Sequence, residues 1–181
     1  RESQSSNIIV DLYQNGYIRL FTTTDSPLVH NKKVNIRVIR ENGVFNLYIN
    51  GILKFSNSGY TSYNISATNM MIGGNNINRE HINGYLKNFK IYKDIAVIPE
   101  SPNGKIQLDF DNNVIDKYGN STWTNNGGTF DSINSVKGSS INLTNWNTNV
   151  TTGINDNFNY GSNSFKINMD VKPSGPNSDF S

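Results

Sequence analysis

Apolar residues recur at alternate positions along much of this chain, and asparagine–glycine pairs interrupt them. Between residues 33 and 40 (KVNIRVIR) Val34, Ile36, Val38 and Ile39 gather mostly on one face. Period-two alternation belongs to a half-buried β-strand, whose successive side chains point to opposite faces. Glu41-Asn42-Gly43 turns the chain into a second run, 44–49 (VFNLYI), and Asn50-Gly51 turns it again into 52–55 (ILKF). Asn and Gly both tolerate the positive φ of tight hairpin turns, so the stretch reads as a three-stranded meander. Residues 7–13 (NIIVDLY) and 16–24 (GYIRLFTTT), joined at Asn15-Gly16, predict a further hairpin.

The pattern continues with gaps. A polar loop at 56–66 leads to Met70-Met71-Ile72 and Gly73-Gly74, and a second loop, 75–83, ends at Asn83-Gly84. Residues 85–93 alternate Tyr85, Lys87, Phe89 and Ile91 against Leu86, Asn88, Lys90 and Tyr92. Apolar groups on both parities predict a strand covered on both faces. Asp94-Ile95-Ala96 fits a single helical turn before Pro99 and Pro102. Residues 100–104 (ESPNG) read as a linker between two segments, 1–99 and 105–181. In the second segment, 105–110 (KIQLDF), 121–124, 139–144 and 164–171 read as strands. Short strands with turn signals at roughly ten-residue spacing predict an all-β sandwich.

Composition narrows the function classes. Of 181 residues 32 are asparagine, a side chain that bonds to nearby backbone and favours turns over helix. Nine Tyr and nine Phe, with many Ile and Val, supply a strand-forming core. Lys+Arg total 16 against 14 Asp+Glu, and no basic run exceeds Lys32-Lys33. A nucleic-acid partner is not expected from this balance. Without cysteine there is neither a disulfide nor a thiolate metal site. No apolar run reaches the roughly 20 residues of a membrane-spanning helix, so membrane insertion is not expected.

Several segments together resemble the concanavalin A-like lectin/glucanase superfamily, specifically its laminin G-like jelly-roll domains. "NLYINGILKF" (46–55) is similar to that family's strand–turn–strand. "MMIGG" (70–74) followed by "INGYLKNFKIYKD" (82–94) resembles its Ile-Gly-Gly strand and closing strand. "LDFDNNVIDKYGN" (108–120) resembles its opening strand and Asp-x-x-Gly turn, with "GSSINLT" (138–144) and "NYGSNSFKINMDVKP" (159–173) as later core strands. The resemblance implies a two-sheet antiparallel jelly roll. Closing-half signatures precede opening-half ones, so 1–99 and 105–181 are either one permuted sandwich or halves of adjacent repeats. One closed sandwich is the expectation, because a half-sandwich cannot bury its faces alone.

The fold also hosts retaining glucanases, which need two carboxylates about 5 Å apart. The chain's four glutamates (2, 41, 80 and 100) have no partner carboxylate in the required pattern, and Asp109-Phe110-Asp111 imitates it only in part. No catalytic residue is assigned. Hard cations want several oxygens at once, and the resemblance implies an ion in the loops. Asp109, Asp111 and Asp116 are the calcium candidates. Sugar binding asks for aromatic platforms rimmed by amides. Candidates are Trp146 between Asn145 and Asn147, Tyr60 and Tyr63 in loop 56–66, Asn75, Asn76 and Asn78 in loop 75–83, and Trp123. The expected role is a non-enzymatic module binding a cell-surface glycan or host receptor. By resemblance it belongs to a phage tail-fibre or other virion protein, or an extracellular surface adhesin. Its expected neighbours are further repeats or identical copies in a fibre. A structural spacer without its own ligand is the alternative.

Overall fold

A computed structural model describes residues 9–13, 17–23, 31–66, 70–73, 84–93, 105–133, 138–143, 147–153, 158–161 and 163–173. At 9–13, 17, 18, 66 and 93 it describes the backbone alone. The expected linker, 100–104, lies outside these residues, as does the expected helical turn at 94–96. All described regular elements are strands, paired antiparallel.

In chain order, β1 (Ile9–Tyr13) and β2 (Tyr17–Thr22) pair as the first hairpin. The meander follows as β3 (Val34–Glu41), β4 (Val44–Ile49) and β5 (Ile52–Asn57). Its turns are the ones the Asn-Gly pairs call for: Asn42, Gly43, Asn50 and Gly51 all have positive φ, between 49° and 81°. Then come β6 (Ile65–Ser66), β7 (Met71–Gly73) and β8 (Gly84–Lys93). The second segment supplies β9 (Lys105–Leu108), β10 (Trp123–Asn126), β11 (Thr129–Asp131), β12 (Ser140–Leu143), β13 (Asn149–Thr152), β14 (Asn159–Gly161) and β15 (Phe165–Pro173).

The largest sheet has the order β11-β12-β8-β15-β3-β4-β5, with β9 also pairing to β8. Strands of the two segments therefore interleave. β15 lies between β3 and β8, with Met169 opposite Ile36 and Val171 opposite both Val34 and Leu86. β12 and β9 share the other edge of β8, Ile141 meeting Leu86 and Leu108 meeting Phe89. The three-stranded sheet β10-β13-β7 mixes the segments in the same way, with Val150 opposite Ile72.

Alternation decides which side chains enter the core. Val34, Ile36 and Val38 of β3, Phe45, Leu47 and Ile49 of β4, and Leu86, Phe89 and Ile91 of β8 are all buried. Ile39 takes the opposite parity from Val34, Ile36 and Val38 and is only half-buried. From the smaller sheet come Ile72, Trp123 and Val150. Trp123 meets Phe89 and Phe158 edge-on, each at 6.0 Å between centroids, an arrangement that ring quadrupoles favour. Fully burying one such aromatic is worth about 2–3 kcal/mol.

β8 corrects one sequence expectation. Leu86 faces inward, and so do Phe89 and Ile91, three and five positions later. The parity changes at Asn88, which has φ 54° and sits where the register between β15 and β8 slips by one residue. That β-bulge puts Tyr85, Lys87, Lys90 and Tyr92 together on the face away from the core, where they keep part of their surface open. The strand is thus covered on one face, not two. At its start Gly84 is required: a Cβ there would collide with the Lys172 carbonyl and the Pro173 backbone.

Candidate functional site

The outer face of the large sheet carries the strongest concentration of chemistry. Register sets its side chains in rows. In one row Lys105 of β9 opposes Tyr92 of β8, which opposes Lys166 of β15, which opposes Ile39 of β3. In the next, Lys90 opposes Asn168, which opposes Arg37, which opposes Tyr48 of β4. Cations lie against the rings. Lys166 Nζ is 4.4 Å and Lys105 Nζ 5.3 Å from the Tyr92 centroid, Lys105 is 4.6 Å from Tyr118, and Arg37 is 4.4 Å from Tyr48. Each contact contributes about 0.5–1 kcal/mol at a partly exposed site and holds both partners in place. Burial lowers the Lys166 ammonium pKa, and Arg37, Lys105 and Lys90 lower it further by like-charge repulsion.

The next row is neutralised. Asp170 accepts from Asn35 Nδ2 at 2.9 Å and Asn88 Nδ2 at 2.7 Å, and pairs with Lys33 Nζ at 3.0 Å. Burial alone would raise its carboxyl, but the hydrogen bonds from Asn35, Asn88 and Lys33 outweigh it and hold the pKa below the usual value. By contrast, among the described residues no carboxylate pairs with Arg37, Lys90 or Lys166. The Arg37 Nε is buried and has no hydrogen-bond partner among the described residues.

The loop carrying Tyr60 and Tyr63 is built around a buried cation. Arg40 closes the inward parity of β3 and is fully buried. Its Nη1 donates to the Gly161 carbonyl at 3.0 Å, and its Nη2 donates to those of Thr61 at 3.1 Å and Tyr63 at 2.6 Å. Three carbonyl dipoles thus stand in for a carboxylate. Tyr60 and Tyr63 meet edge-on at 6.3 Å and are half-buried, Tyr60 against the core, while the Tyr63 hydroxyl is buried with no partner among the described residues. They pack the loop more than they present it.

The acidic candidates separate. Asp116 is buried and already surrounded by donors. Its Oδ1 accepts from the backbone N–H of Gln107 and Tyr118, and its Oδ2 from Asn120 N–H and the Ser121 hydroxyl, at 2.9–3.2 Å. Asp109 accepts from Gln107 Nε2 at 2.6 Å. Asp111 accepts from Lys87 Nζ and from Ser139 N–H, bridging the gap between β9 and β12. Gly138 makes room for it, since a Cβ there would strike the Asp111 carboxylate. Among the described residues no three acidic or imidazole side chains come together. Asp109 and Asp111 are also not presented from one strand face: β9 ends at Leu108, and Phe110 has φ 57° with its ring fully buried.

Trp123, expected as a sugar platform, is instead a core residue. Only 7% of it is exposed, its ring is packed between Phe89 and Phe158, and its Nε1 donates to Ser121 Oγ at 2.7 Å. Asn147 is exposed at the turn into β13. Asn145, Trp146, Asn75, Asn76 and Asn78 lie outside the described residues. The sheet face was not among the sequence candidates. In sequence Arg37, Lys90, Tyr92, Lys105 and Lys166 are scattered polar positions of alternating strands, and only register joins them.

None of the described residues forms a helix long and apolar enough to cross a membrane. No curated protein and no solved structure matches the chain. The family model described as the concanavalin A-like lectin/glucanases superfamily, laminin G type, matches residues 2–101. That stretch holds β1 to β8, the meander and the bulged strand among them, and its match extends over more than half of the chain. With the antiparallel sheets described above, the chain belongs to the laminin G-type branch of the concanavalin A-like lectin/glucanases superfamily.

Proposed function

We propose that this protein is a non-enzymatic binding module that recognises a glycan on a cell surface. Domains of the laminin G type commonly serve binding or adhesion, often outside cells or at their surfaces, and this reading takes that role to a particular face. The observation that carries it is the outer face of the large sheet, where Tyr48, Tyr92 and the amides of Asn46 and Asn168 share rows with lysine and arginine. Sugar hydroxyls are met by amides, guanidinium and phenol groups, and strands hold those groups fixed before the ligand arrives, which lowers the entropy lost on binding. The pair of poised carboxylates that glycoside hydrolysis requires is not brought together on this face among the described residues, because Asp170 is taken by Asn35, Asn88 and Lys33. Within a larger chain, a phage tail fibre or a bacterial surface protein, many weak copies of such a face would act together through effective concentration.

The test is a broad glycan array probed with the 181-residue chain. A defined hit that Tyr48→Ala and Asn168→Ala weaken, without loss of the folded circular-dichroism signal, supports the reading. A blank array from the folded chain overturns it. A specific observation favours a second reading, a fibre spacer that packs against its own copies: β5 lies at the end of the large sheet and exposes Ile52 and Leu53 to 64% and 50%. Concentration-dependent association in sedimentation, abolished by Leu53→Lys, would support that alternative.

A further inference from the structure

We infer that the Asn50-Gly51 turn between β4 and β5 is a site of self-modification, reacting ahead of the other Asn-Gly turns described. The Gly51 nitrogen closes on the Asn50 side chain, and water opens the resulting cyclic imide to aspartate or isoaspartate. A new carboxylate is left at the end of the large sheet.

Water and hydroxide suffice for the chemistry. The Gly51 amide, its proton taken by hydroxide, attacks Asn50 Cγ, and a C–N bond forms. With no Cβ on Gly51, that nitrogen is unhindered. Negative charge collects on Oδ1 as the carbonyl becomes tetrahedral. The Cγ–Nδ2 bond then breaks, and ammonia leaves with a proton from water, which regenerates hydroxide. A second water opens the imide. Attack at Cγ restores the backbone as aspartate, whereas attack at the main-chain carbonyl leaves the chain running through the side chain as isoaspartate.

Three Asn-Gly pairs, at 42–43, 50–51 and 126–127, lie wholly within the described residues, and all three asparagines are exposed. Their surroundings differ. Asn50 Oδ1 accepts the Asn35 backbone N–H at 2.9 Å, and the Asn50 N–H donates to the Asn35 carbonyl at 2.9 Å. A fixed donor thus faces the oxygen on which charge develops and polarises the carbonyl beforehand. The departing Nδ2 bonds to no described residue. To reach Cγ, the peptide unit between Asn50 and Gly51 must rotate out of its turn. Nothing obstructs it at Gly51, where a Cβ would find open space within 4 Å.

The other two turns lack this combination. Asn126 Nδ2 donates to Asn149 Oδ1 at 2.7 Å and to Thr151 Oγ1 at 3.0 Å. Those bonds hold the leaving group and feed electron density toward its carbonyl. Gly43 is buried, and a Cβ there would lie 2.7–2.9 Å from Thr61 atoms. Arg40 pins the Thr61 carbonyl at 3.1 Å, so this turn cannot open freely. At Asn50 the added carboxylate takes the formal net charge from +2 to +1. Isoaspartate also lengthens the backbone at the tip, where Ile49 and Ile52 pair.

The experiment incubates the 181-residue chain in warm, mildly alkaline buffer, with circular dichroism verifying that it stays folded. Samples taken over time are digested, and mass spectrometry follows amide-to-acid conversion at Asn42, Asn50 and Asn126. An isoaspartyl methyltransferase, which labels isoaspartate, identifies the product in each peptide. A parallel sample is kept unfolded in urea. In the folded chain Asn50 is expected to convert ahead of Asn42, and about fivefold faster than Asn126, the acceleration that one hydrogen bond of ordinary net strength supplies. In urea the three rates should converge, because the tertiary surroundings are gone. If Asn42 or Asn126 converts as fast as Asn50 in the folded chain, the assignment is wrong. If Asn50 is still an amide when the urea sample has converted, the turn protects its asparagine and the inference falls. If Asn50 leads by the same margin in urea, the tertiary contacts of Asn35 and Thr61 play no part and the reasoning is refuted.

Discussion

Replacing Arg40 with methionine tests the energetic core of the Tyr60–Tyr63 loop. The methionine fills much of the aliphatic stem's volume but donates nothing. Three carbonyls, those of Gly161, Thr61 and Tyr63, lose their donor. Hydrogen bonds to a charged group contribute about 1.5–3 kcal/mol each, so the gross loss is about 5 kcal/mol or more. Part of that returns, because a guanidinium buried without a carboxylate carries a desolvation cost that the variant no longer bears. Burial lowers the Arg40 pKa, as expected for that cost. The guanidinium contact with the Phe45 ring, at 5.1 Å, is lost as well. The net expectation is a loss of about 3 kcal/mol, which for a domain of this size lowers Tm by about 6–12 °C. Urea unfolding followed by tryptophan fluorescence, with the slope held equal to the parent's, measures it. Hydrogen exchange should report it locally, with protection lost first near residues 59–66. Arg40→Lys should recover less than half of the loss, since one ammonium cannot reach carbonyls from two loops in the same fork. A methionine variant within about 0.5 kcal/mol of the parent, or a lysine variant equal to it, would refute the clamp.

Three further outcomes are expected. Tyr160 is buried, stacked on Phe165 at 4.8 Å, and its hydroxyl has no partner among the described residues, so burial pushes its phenol far above the ordinary pKa. Tyr160→Phe should therefore be neutral or stabilising by up to about 1 kcal/mol in the same urea assay, and a loss above that would reveal a missing partner. Asp170 has a folded pKa below its unfolded value of about 3.9, so its contribution is complete above that value and is lost as pH falls through the folded one. Asp170→Asn should cost about 1–2 kcal/mol near neutral pH, and its stability curve should meet the parent's in acid; parallel curves would contradict the assignment. Asp116→Ala should cost about 2–4 kcal/mol by orphaning Gln107, Tyr118 and Asn120 N–H groups and the Ser121 hydroxyl. Because those donors already fill its oxygens, EDTA should leave the parent's Tm unchanged in a thermal melt, and a drop of several degrees would point to calcium at this loop.

Local pattern alone makes most of the strands and their turns legible. Alternating Val34, Ile36 and Val38 could bury only as a strand, and Asn42-Gly43 and Asn50-Gly51 fit only turns that need positive φ, because both effects act over two or three residues. The family is legible for the same reason, since its signatures are strand-and-turn strings. Three things are decided by tertiary structure. One is the bulge at Asn88: asparagine tolerates the positive φ it needs, but only the pairing with β15 puts a bulge there, and it reverses the facing of every later residue of β8. Another is the burial of Trp123, since an indole among polar neighbours looks the same in sequence whether it meets a ligand or Phe89 and Phe158. The last is the gathering of Lys105, Lys90, Lys166 and Arg37 in two adjacent rows of the sheet, drawn from positions 129 residues apart at the extremes. Pairing of distant strands places these charges side by side, and that register depends on the whole sheet closing, a condition no local stretch of sequence contains.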